Sequence, residues 1–320
     1  MTTFSCFLAP TQNRKQAAAL KSTPKAGMPL HLSHGPCELT LLPEIGGSTG
    51  AFTYKGMDIL RPFPTVEAST SVGPLESAGF PLFPFSGRIQ NGIFTWQGRQ
   101  IELEPNFLPE PHAIHGQAWQ NPWTGEKTGE ASAHMVYDHA PGNWPWAYRA
   151  EQLFELTGDG LTLTMRLTNT GTEAMPAGLG WHPYFPRHDA RLMVNVKGIW
   201  RSGEDMIPTE VAPPSEEEDL TIWREVDSLS LDNAFVVEEP EAAIYWPGRK
   251  IRVDISADTV MSHTVVYTPK GQDFFCVEPV THSPDAVNST HGADVTGLRS
   301  LTGGETLSGT LQLAVHEVAD

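Results

Sequence analysis

The sequence predicts an all-β protein built as a large antiparallel β-sandwich. Short runs in which apolar and polar residues alternate recur along the chain, with almost no helical periodicity between them. The 320 residues include 29 glycines and 27 prolines, which favours frequent turns over long helices. Apolar residues make up 39% of the chain, enough for a full hydrophobic core. The sequence shows no repeat of fixed period, which a propeller would require.

The predicted strands follow one another at short intervals. The clearest pair lies between Glu151 and Thr170, where leucines at alternate positions flank a Gly-rich connection. A second hairpin is predicted within Gly92–Glu102, with its turn at Gln97-Gly98. The other strand-like runs are Glu38–Leu42, Ser48–Tyr54, Leu192–Val196, Ile251–Ile255, Thr264–Tyr267, Phe274–Val277 and Thr310–Val318.

We expect one folded domain, spanning residues 28–320, because no linker divides this part of the chain. Residues 1–27 are predicted to form an N-terminal extension with a short helix at Gln12–Lys21. Two acidic segments, Val211–Asp219 and the EEPE turn at Glu238–Glu241, are interpreted as solvated loops, since like charges repel and stay in water.

The charge balance excludes several classes of partner. The chain carries 38 acidic and 21 basic residues, a formal net charge of −17, which disfavours binding to nucleic acid or to an anionic membrane. Its three cysteines, Cys6, Cys37 and Cys276, have no spacing typical of zinc sites or of a disulfide framework and are consistent with a reducing cytoplasm. No secretory signal and no apolar run of about 20 residues is apparent.

The first candidate for a functional site is Ala177–Pro186, AGLGWHPYFP, which follows a strand-like run. Trp181 and Tyr184 offer flat apolar faces that suit the C–H side of a sugar ring. His182 can donate or accept a proton near neutral pH. A buried histidine that is hydrogen-bonded to a carbonyl group would give the same local sequence, so this stretch alone does not decide between the two interpretations.

Four further residues have the chemistry of a sugar site. Arg88 lies in an otherwise apolar stretch and needs acceptors, whether sugar hydroxyls or backbone carbonyls. His115 precedes a glycine in a loop, where a ligand can approach the backbone. Asp232 in SLDNAF is compatible with a binding group or a turn. Glu278 ends an apolar strand, where burial would raise its pKa and suit it to act as a general base.

The order of these motifs resembles the aldose 1-epimerase (galactose mutarotase) family. The resemblance spans roughly Leu39 to the C-terminus. It implies a galactose mutarotase-like sandwich whose concave face binds one monosaccharide. The matching residues are Arg88 in GRI, His115 in HG, His182 in WHPYF, Asp232 in DNAF and Glu278 in VEPVTHSPDAVN.

The resemblance also implies a role for each residue. Glu278 would be the general base that takes the proton of the anomeric hydroxyl, and His182 the general acid that protonates the ring oxygen. His115 would polarise that oxygen, while Arg88 and Asp232 would bind sugar hydroxyls. No metal or organic cofactor is implied, and we expect a cytoplasmic monomer or homodimer whose partner is a small sugar.

Three positions depart from the pattern of galactose-active family members. Gly87 replaces an Asn, Gln117 replaces a second Gly after HG, and Pro186 replaces a common Asn. The proposed acid and base are retained, so the departures concern the recognition of hydroxyl groups. Hexose-6-phosphate epimerases of a neighbouring branch carry an Arg shortly after HG, whereas here Gln117-Ala118-Trp119 follows, which favours a neutral sugar.

Two alternatives to a mutarotase of free sugars remain at this point. The same fold could serve as a non-catalytic sugar-binding or sensor protein, although a binder has no need for an acid and a base around a ring oxygen. A hexose-6-phosphate 1-epimerase is the second alternative. A polysaccharide lyase or hydrolase on a related sandwich is less well matched, because hydrolysis normally uses two carboxylates.

Overall fold

A computed structural model describes residues 28–64 and 73–319 of the chain. Strands dominate these ranges, and the predicted N-terminal extension with its helix lies outside the described residues. The strand pairs in the sheets are antiparallel, as predicted. One short α-helix, α1, spans Ala293–Thr296. Single turns of 3-10 helix occupy Pro74–Glu76, Gln90–Gly92, Ala118–Gln120, Val226–Ser228 and Pro247–Arg249.

The strands are short in the first half of the chain and longer in the second. In chain order they are β1 (Leu30–His34), β2 (Cys37–Leu42), β3 (Ser48–Tyr54), β4 (Met57–Asp58), β5 (Gly79–Leu82), β6 (Arg88–Ile89), β7 (Ile93–Trp96), β8 (Arg99–Glu102), β9 (Ala113–Ile114), β10 (Thr124–Lys127), β11 (Ser132–His139), β12 (Tyr148–Leu156), β13 (Gly160–Asn169), β14 (Met175–Ala177), β15 (Gly180–Pro186), β16 (Arg191–Ser202), β17 (Pro208–Ala212), β18 (Arg224–Glu225), β19 (Asp232–Trp246), β20 (Ile251–Ala257), β21 (His263–Tyr267), β22 (Phe274–Val280), β23 (Arg299–Leu301) and β24 (Thr306–Glu317).

The predicted strand runs are confirmed, including both hairpins. β12 pairs with β13 around the Gly-rich connection, and β7 pairs with β8 around Gln97-Gly98. Both turn residues have positive φ values, 49° and 80°, as a two-residue turn of the primed type requires. The predicted site segment, which the sequence places after a strand-like run, includes strand β15 itself at residues 180–186.

The sheet folds over at β19 and β16. The first half of β19 pairs with β21 and its second half pairs with β20, while β16 pairs with both halves. Two halves of the sheet, called wings below, extend from β19 and β16. One wing contains β21, β22, β15, β5, β3, β2 and β1, and the other contains β20, β24, β13, β12, β11 and β10. Strand β1 contacts β10, β11 and β12, so the far ends of the two wings meet.

The predicted acidic turn at Glu238–Glu241 is wrong, because these residues lie inside β19. They occupy the point at which β19 changes partner from β21 to β20, where its pairing with β16 also shifts in register. Pro240 has no N–H group to donate, which is tolerated where regular pairing is interrupted. Glu238 and Glu239 stay exposed, so the solvation that the charge pattern predicts is retained within a strand.

Strand β15 separates the hydrophobic core from the concave face of the sheet. Its alternation sends Trp181 and Phe185 into the large core cluster, whereas Tyr184 joins a smaller cluster with Phe80 and Phe274. The ring of Phe185 lies 5.8 Å from that of Phe275. Among the described residues, no helix is long and apolar enough to cross a membrane.

Truncation of a core side chain on β15 should therefore cost stability without changing the concave face. We expect Phe185→Ala to lower the free energy of unfolding by about 3–5 kcal/mol, because Phe185 is fully buried and its removal leaves a cavity. Urea unfolding measures the loss. Ile222→Ala is the control, since Ile222 is 53% exposed and should change stability little; a similar loss in both variants would contradict this assignment of the core.

Candidate active site

The five residues singled out in the sequence line one cleft on the concave face. They come from five separate elements: Arg88 from β6, His115 from the loop after β9, His182 from β15, Asp232 from the start of β19 and Glu278 from β22. The cleft has a volume of about 640 Å³, including space that is open to solvent. The fold thus brings together side chains that are up to 190 positions apart in the sequence.

The strand register brings His182 and Glu278 face to face. β15 and β22 are antiparallel, and Gly180 pairs with Val280. Two residues further along, on the same face of each strand, are His182 and Glu278. His182 Nε2 lies 3.4 Å from Glu278 Oε1. The two residues are only 9% and 2% exposed, so they meet in surroundings of low polarity.

Burial shifts the pKa values of the two groups in opposite directions. It raises the pKa of Glu278 well above its ordinary value, and the nearby Asp232 adds to this effect while Arg88 opposes it. Burial lowers the pKa of His182 to about 3, with a smaller contribution from Arg61. Both shifts favour the uncharged forms. A proton that moves from Glu278 to His182 creates the carboxylate and imidazolium needed for acid–base chemistry.

Aromatic rings hold the His182 imidazole in place. The ring of Phe80 stacks on it, with centroids 4.6 Å apart and 25° between the planes. The Tyr184 ring lies 4.8 Å away on a tilted plane. His182 Nδ1 is buried and has no hydrogen-bond partner among residues 28–64 and 73–319. Packing rather than a second hydrogen bond therefore sets the orientation that presents Nε2 to Glu278.

The hydrogen bonds of His115 define its tautomer. The backbone N–H of His115 donates to the Gly87 carbonyl at 2.9 Å, and the backbone N–H of Gly87 donates to the ring atom Nδ1 of His115 at 3.1 Å. Burial lowers the pKa of His115 well below its ordinary value, with smaller contributions from His182 and Arg88. With Nδ1 accepting, the neutral ring carries its hydrogen on Nε2. His115 is thus a neutral hydrogen-bond donor in the wall of the cleft.

Left-handed backbone conformations make this arrangement possible. His115 has a φ of 59°, which few residues other than glycine adopt, and Gly116 follows with 69°. A Cβ atom at Gly116 would lie 2.0 Å from the Phe83 carbonyl oxygen, so a side chain there would force the two segments apart. The HG motif therefore serves close backbone packing beneath the histidine.

Arg88 is held by an acidic residue that the sequence did not single out. Its Nε lies 3.4 Å from Glu110 Oε2, and Glu110 Oε1 lies 3.7 Å from His112 Nε2. Glu110 lies in the loop before β9 and His115 in the loop after it, and an acidic residue between prolines is typical of a solvated turn. His112 Nδ1 accepts the Asn91 N–H at 2.9 Å, which gives His112 a structural role.

Asp232 lies opposite Tyr267 in the pairing of β19 with β21. Burial raises its pKa, the charge of Arg88 counteracts this shift and that of Glu110 adds to it. The adjacent Asn233 donates a hydrogen bond to the backbone carbonyl of Trp200 at 3.2 Å. Asn233, Trp200 and Tyr267 also line the cleft. Trp200 and Tyr267 were missed from the sequence, because their neighbours in the chain carry no chemical signal.

Two buried histidines support the cleft from behind. His282 Nε2 accepts the N–H of Ser86, two residues before Arg88, while its Nδ1 donates to the Ser283 carbonyl at 2.7 Å. His263 Nε2 accepts the Trp200 indole N–H at 3.0 Å. Burial lowers the pKa of His282 to about 4 and that of His263 to about 3. Both remain neutral over the whole physiological range.

Of the three departures noted in the sequence, Gly87 lines the cleft. It has a φ of 68°, and a Cβ atom there would lie 2.8 Å from the Pro284 side chain, so glycine is required by the local backbone. Gln117 precedes a 3-10 turn, and its carbonyl accepts a hydrogen bond from Asn121. Pro186 ends β15 opposite Phe274.

One cluster in the described part of the chain has the composition of a metal site. Donor atoms of His182, Cys276 and Glu278 lie within 4.8 Å of one another. His182 and Glu278 are the same residues that face each other across the strand pair. A neutral imidazole can bind a cation, but burial raises the pKa of Glu278 and so disfavours the carboxylate form that a metal ion requires.

A family model described as Aldose 1-epimerase matches residues 30–314. The chain belongs to the aldose 1-epimerase family. The match runs from the first residue of β1 into β24 and includes the five candidate site residues. The resemblance inferred from the sequence motifs is thereby confirmed.

Relatives from several bacteria share the sequence or the fold. The uncharacterized protein YphB of Escherichia coli K12 is 32% identical over 294 residues, which cover 89% of this chain and 98% of that protein. A putative aldose 1-epimerase from the same organism superposes with a TM-score of 0.81 at 30% identity, covering 91% of this chain and 99% of that one. A galactose 1-epimerase from Lactobacillus acidophilus NCFM shares the fold, with a TM-score of 0.75 at 16% identity and coverage of 91% and 95%.

Because His282 and His263 are buried in their neutral form, we expect the free energy of unfolding to fall in acid. A histidine with an unfolded pKa near 6.5 and a folded pKa of about 4 binds more protons when unfolded, so stability falls as the pH drops from about 6.5 towards 4. Each such group should cost about 2 kcal/mol between pH 7 and pH 5. We expect His282→Asn, which keeps a donor and an acceptor, to reduce this loss by about that amount.

Urea unfolding at pH 7 and pH 5 measures the difference. His31→Asn is the matched control, because His31 is exposed and lies on β1, far from the buried cluster. An equal pH-dependent loss in the parent protein and in His282→Asn would show that His282 does not contribute to acid sensitivity.

Proposed function

We propose that this protein is an aldose 1-epimerase that interconverts the α and β anomers of a neutral, free monosaccharide. The observation that carries the proposal is the pair formed by His182 and Glu278, buried at 3.4 Å in the wall of an open cleft. Conversion of anomers requires one group that takes a proton from the anomeric hydroxyl and another that protonates the ring oxygen. An imidazole and a carboxyl can perform both tasks without a cofactor.

Ring opening uses the pair in its charged form. The Glu278 carboxylate takes the proton from the C1 hydroxyl while the C1–O5 bond breaks and C1 becomes a carbonyl carbon. His182 delivers its Nε2 proton to O5, which leaves as the C5 hydroxyl. The pair ends this step with the proton on Glu278, the state that burial favours for both groups.

Reclosure reverses the roles of the two groups. Rotation about the C1–C2 bond presents the other face of the carbonyl to the C5 hydroxyl. His182 takes the proton of that hydroxyl as the oxygen attacks C1, and Glu278 returns its proton to the carbonyl oxygen. The pair regains its starting form and no proton is gained or lost, so the reaction needs no exchange with solvent.

The remaining three residues would position the sugar. His115 presents an Nε2–H that suits a hydrogen bond to the ring oxygen, which would favour cleavage of the C1–O5 bond. Arg88 and Asp232 supply a donor and an acceptor for hydroxyl groups on the other side of the ring. Arg88 is steadied by Glu110, which restricts its guanidinium before a sugar arrives.

The charges around the cleft support a neutral sugar over a sugar phosphate. Among the described residues that line the cleft, Arg88 is the only lysine or arginine. It is paired with Glu110 and close enough to Asp232 and Glu278 to influence their pKa values. A phosphate group would meet a single guanidinium that is already paired with Glu110, which disfavours its binding.

Replacement of either member of the pair should abolish catalysis. We expect Glu278→Gln and His182→Asn each to lower kcat/KM for mutarotation by about 100-fold or more, in the range typical for loss of a general acid or base. Polarimetry of freshly dissolved α-D-glucose, α-D-galactose, L-arabinose and D-xylose measures the rate. Glu126→Gln is the matched control, because Glu126 is exposed on β10.

Isothermal titration calorimetry of the same variants separates catalysis from binding. Retained affinity for the sugar with loss of rate is the result expected for a catalytic pair. Sugar binding by the parent protein with no acceleration of any of the four sugars would sink the epimerase proposal for them and favour the non-catalytic binding protein.

A further inference from the structure

A second compartment adjoins the catalytic cleft. It has a volume of about 690 Å³, including space that is open to solvent. Ile114, His115, His182 and Tyr267 line both spaces, so the two are continuous at the catalytic pair. The proposed function uses none of the other residues of the second compartment. Its walls are formed largely by aromatic rings, those of Phe80, Phe107, Trp119, Tyr184, Tyr267 and Phe274.

Phe107 and Tyr267 are the partly exposed rings of this aromatic compartment, whereas Phe80, Trp119, Tyr184 and Phe274 are each 5% exposed or less and pack on one another. Phe80 and Trp119 stack with centroids 5.2 Å apart and 28° between their planes. Phe107 closes the far side edge-on to Trp119, at 6.2 Å. Flat aromatic faces suit the C–H face of a pyranose ring. Gln272, half-buried at the rim, adds an amide that can bind a hydroxyl group.

No aspartate, glutamate, lysine or arginine lines the aromatic compartment as the structure describes it. Arg61 lies behind its wall, with its guanidinium 3.9 Å from the centre of the Tyr184 ring and 4.6 Å from that of Phe274. The Arg61 Nη2 group donates to the carbonyls of Leu75 and Ser77. This compartment therefore offers no counter-charge to a phosphate or carboxylate, and its occupant is uncharged.

The position of the compartment indicates which part of the substrate enters it. It meets the catalytic cleft at His182 and His115, whereas Asp232 and Arg88 line the other side. Under the proposed function, His182 and His115 contact the ring oxygen O5. The carbon next to O5 on the side away from C1 is C5, which carries C6. A group attached at C6 is thus the part of the sugar nearest to the aromatic walls.

We propose that the aromatic compartment is a second sugar subsite, and that the preferred substrates are reducing disaccharides in which an uncharged pyranose is joined to C6 of the reducing residue. This inference rests on the proposed function for the orientation of the reducing sugar. The reducing residue occupies the cleft with C1 at Glu278, and the second ring packs against Phe107, beside the edges of the stacked Phe80 and Trp119 rings. The chemistry at C1 is unchanged by the added ring.

Mutarotation of isomaltose, maltose and glucose tests the subsite. Two-dimensional exchange NMR of the anomeric protons gives the rates for all three sugars. We expect kcat/KM for the 1→6-linked isomaltose to exceed that for glucose by about 10-fold, from packing of the second ring. Phe107→Ala should remove most of this advantage, because Phe107 lies in the aromatic compartment and not in the catalytic cleft. Trp223→Ala is the aromatic control, since Trp223 is exposed elsewhere.

The outcomes distinguish this proposal from the proposed function. Glucose mutarotation with no advantage for isomaltose, or an advantage that Phe107→Ala leaves intact, would overturn the subsite and leave the epimerase proposal standing. A preference for the 1→4-linked maltose would overturn the assignment to C6. If no sugar is epimerised, calorimetric binding decides: weaker binding of isomaltose, but not of glucose, to Phe107→Ala supports the subsite, and equal weakening overturns it.

Discussion

The buried contact between the His182 imidazole and the Glu278 carboxyl is the constraint on which the rest of the site depends. Two ionisable groups withdrawn from water resist charge, and burial shifts the pKa of each towards its neutral form. Such a pair is costly unless something else stabilises its charged form during a reaction. Sugar hydroxyls and the ring oxygen are suited to that purpose, because they can bind both groups while accepting and returning a proton.

The surroundings keep this pair rigid and mostly uncharged. Register between β15 and β22 fixes the two backbones, and the Phe80 and Tyr184 rings fix the imidazole. Backbone groups, rather than further charges, hold His115 as a neutral donor. His282 ties the end of the β22 segment to the segment that carries Arg88. Each of these supports is a directional contact that would hold its shape before a sugar binds.

Much of the fold and of the cleft could be predicted from the sequence, because the signals were local. Alternating strands, the Gln97-Gly98 turn and five motifs in order suffice for the sandwich and for Glu278, His182 and Arg88. The residues that were missed act through contacts that no local pattern reveals. Glu110 reads as a solvated turn until Arg88 is placed beside it. The strand through Glu238–Glu241 depends likewise on distant partners.

The central claim is that a sugar binds with its anomeric end between Glu278 and His182. A crystal structure of the Glu278→Gln variant with bound monosaccharide tests it most directly, because the sugar is trapped without reaction. The account predicts the C1 hydroxyl within about 3 Å of the side chain at position 278 and the ring oxygen within about 3 Å of His182 Nε2. A sugar bound in the cleft with C1 directed away from both groups would contradict it.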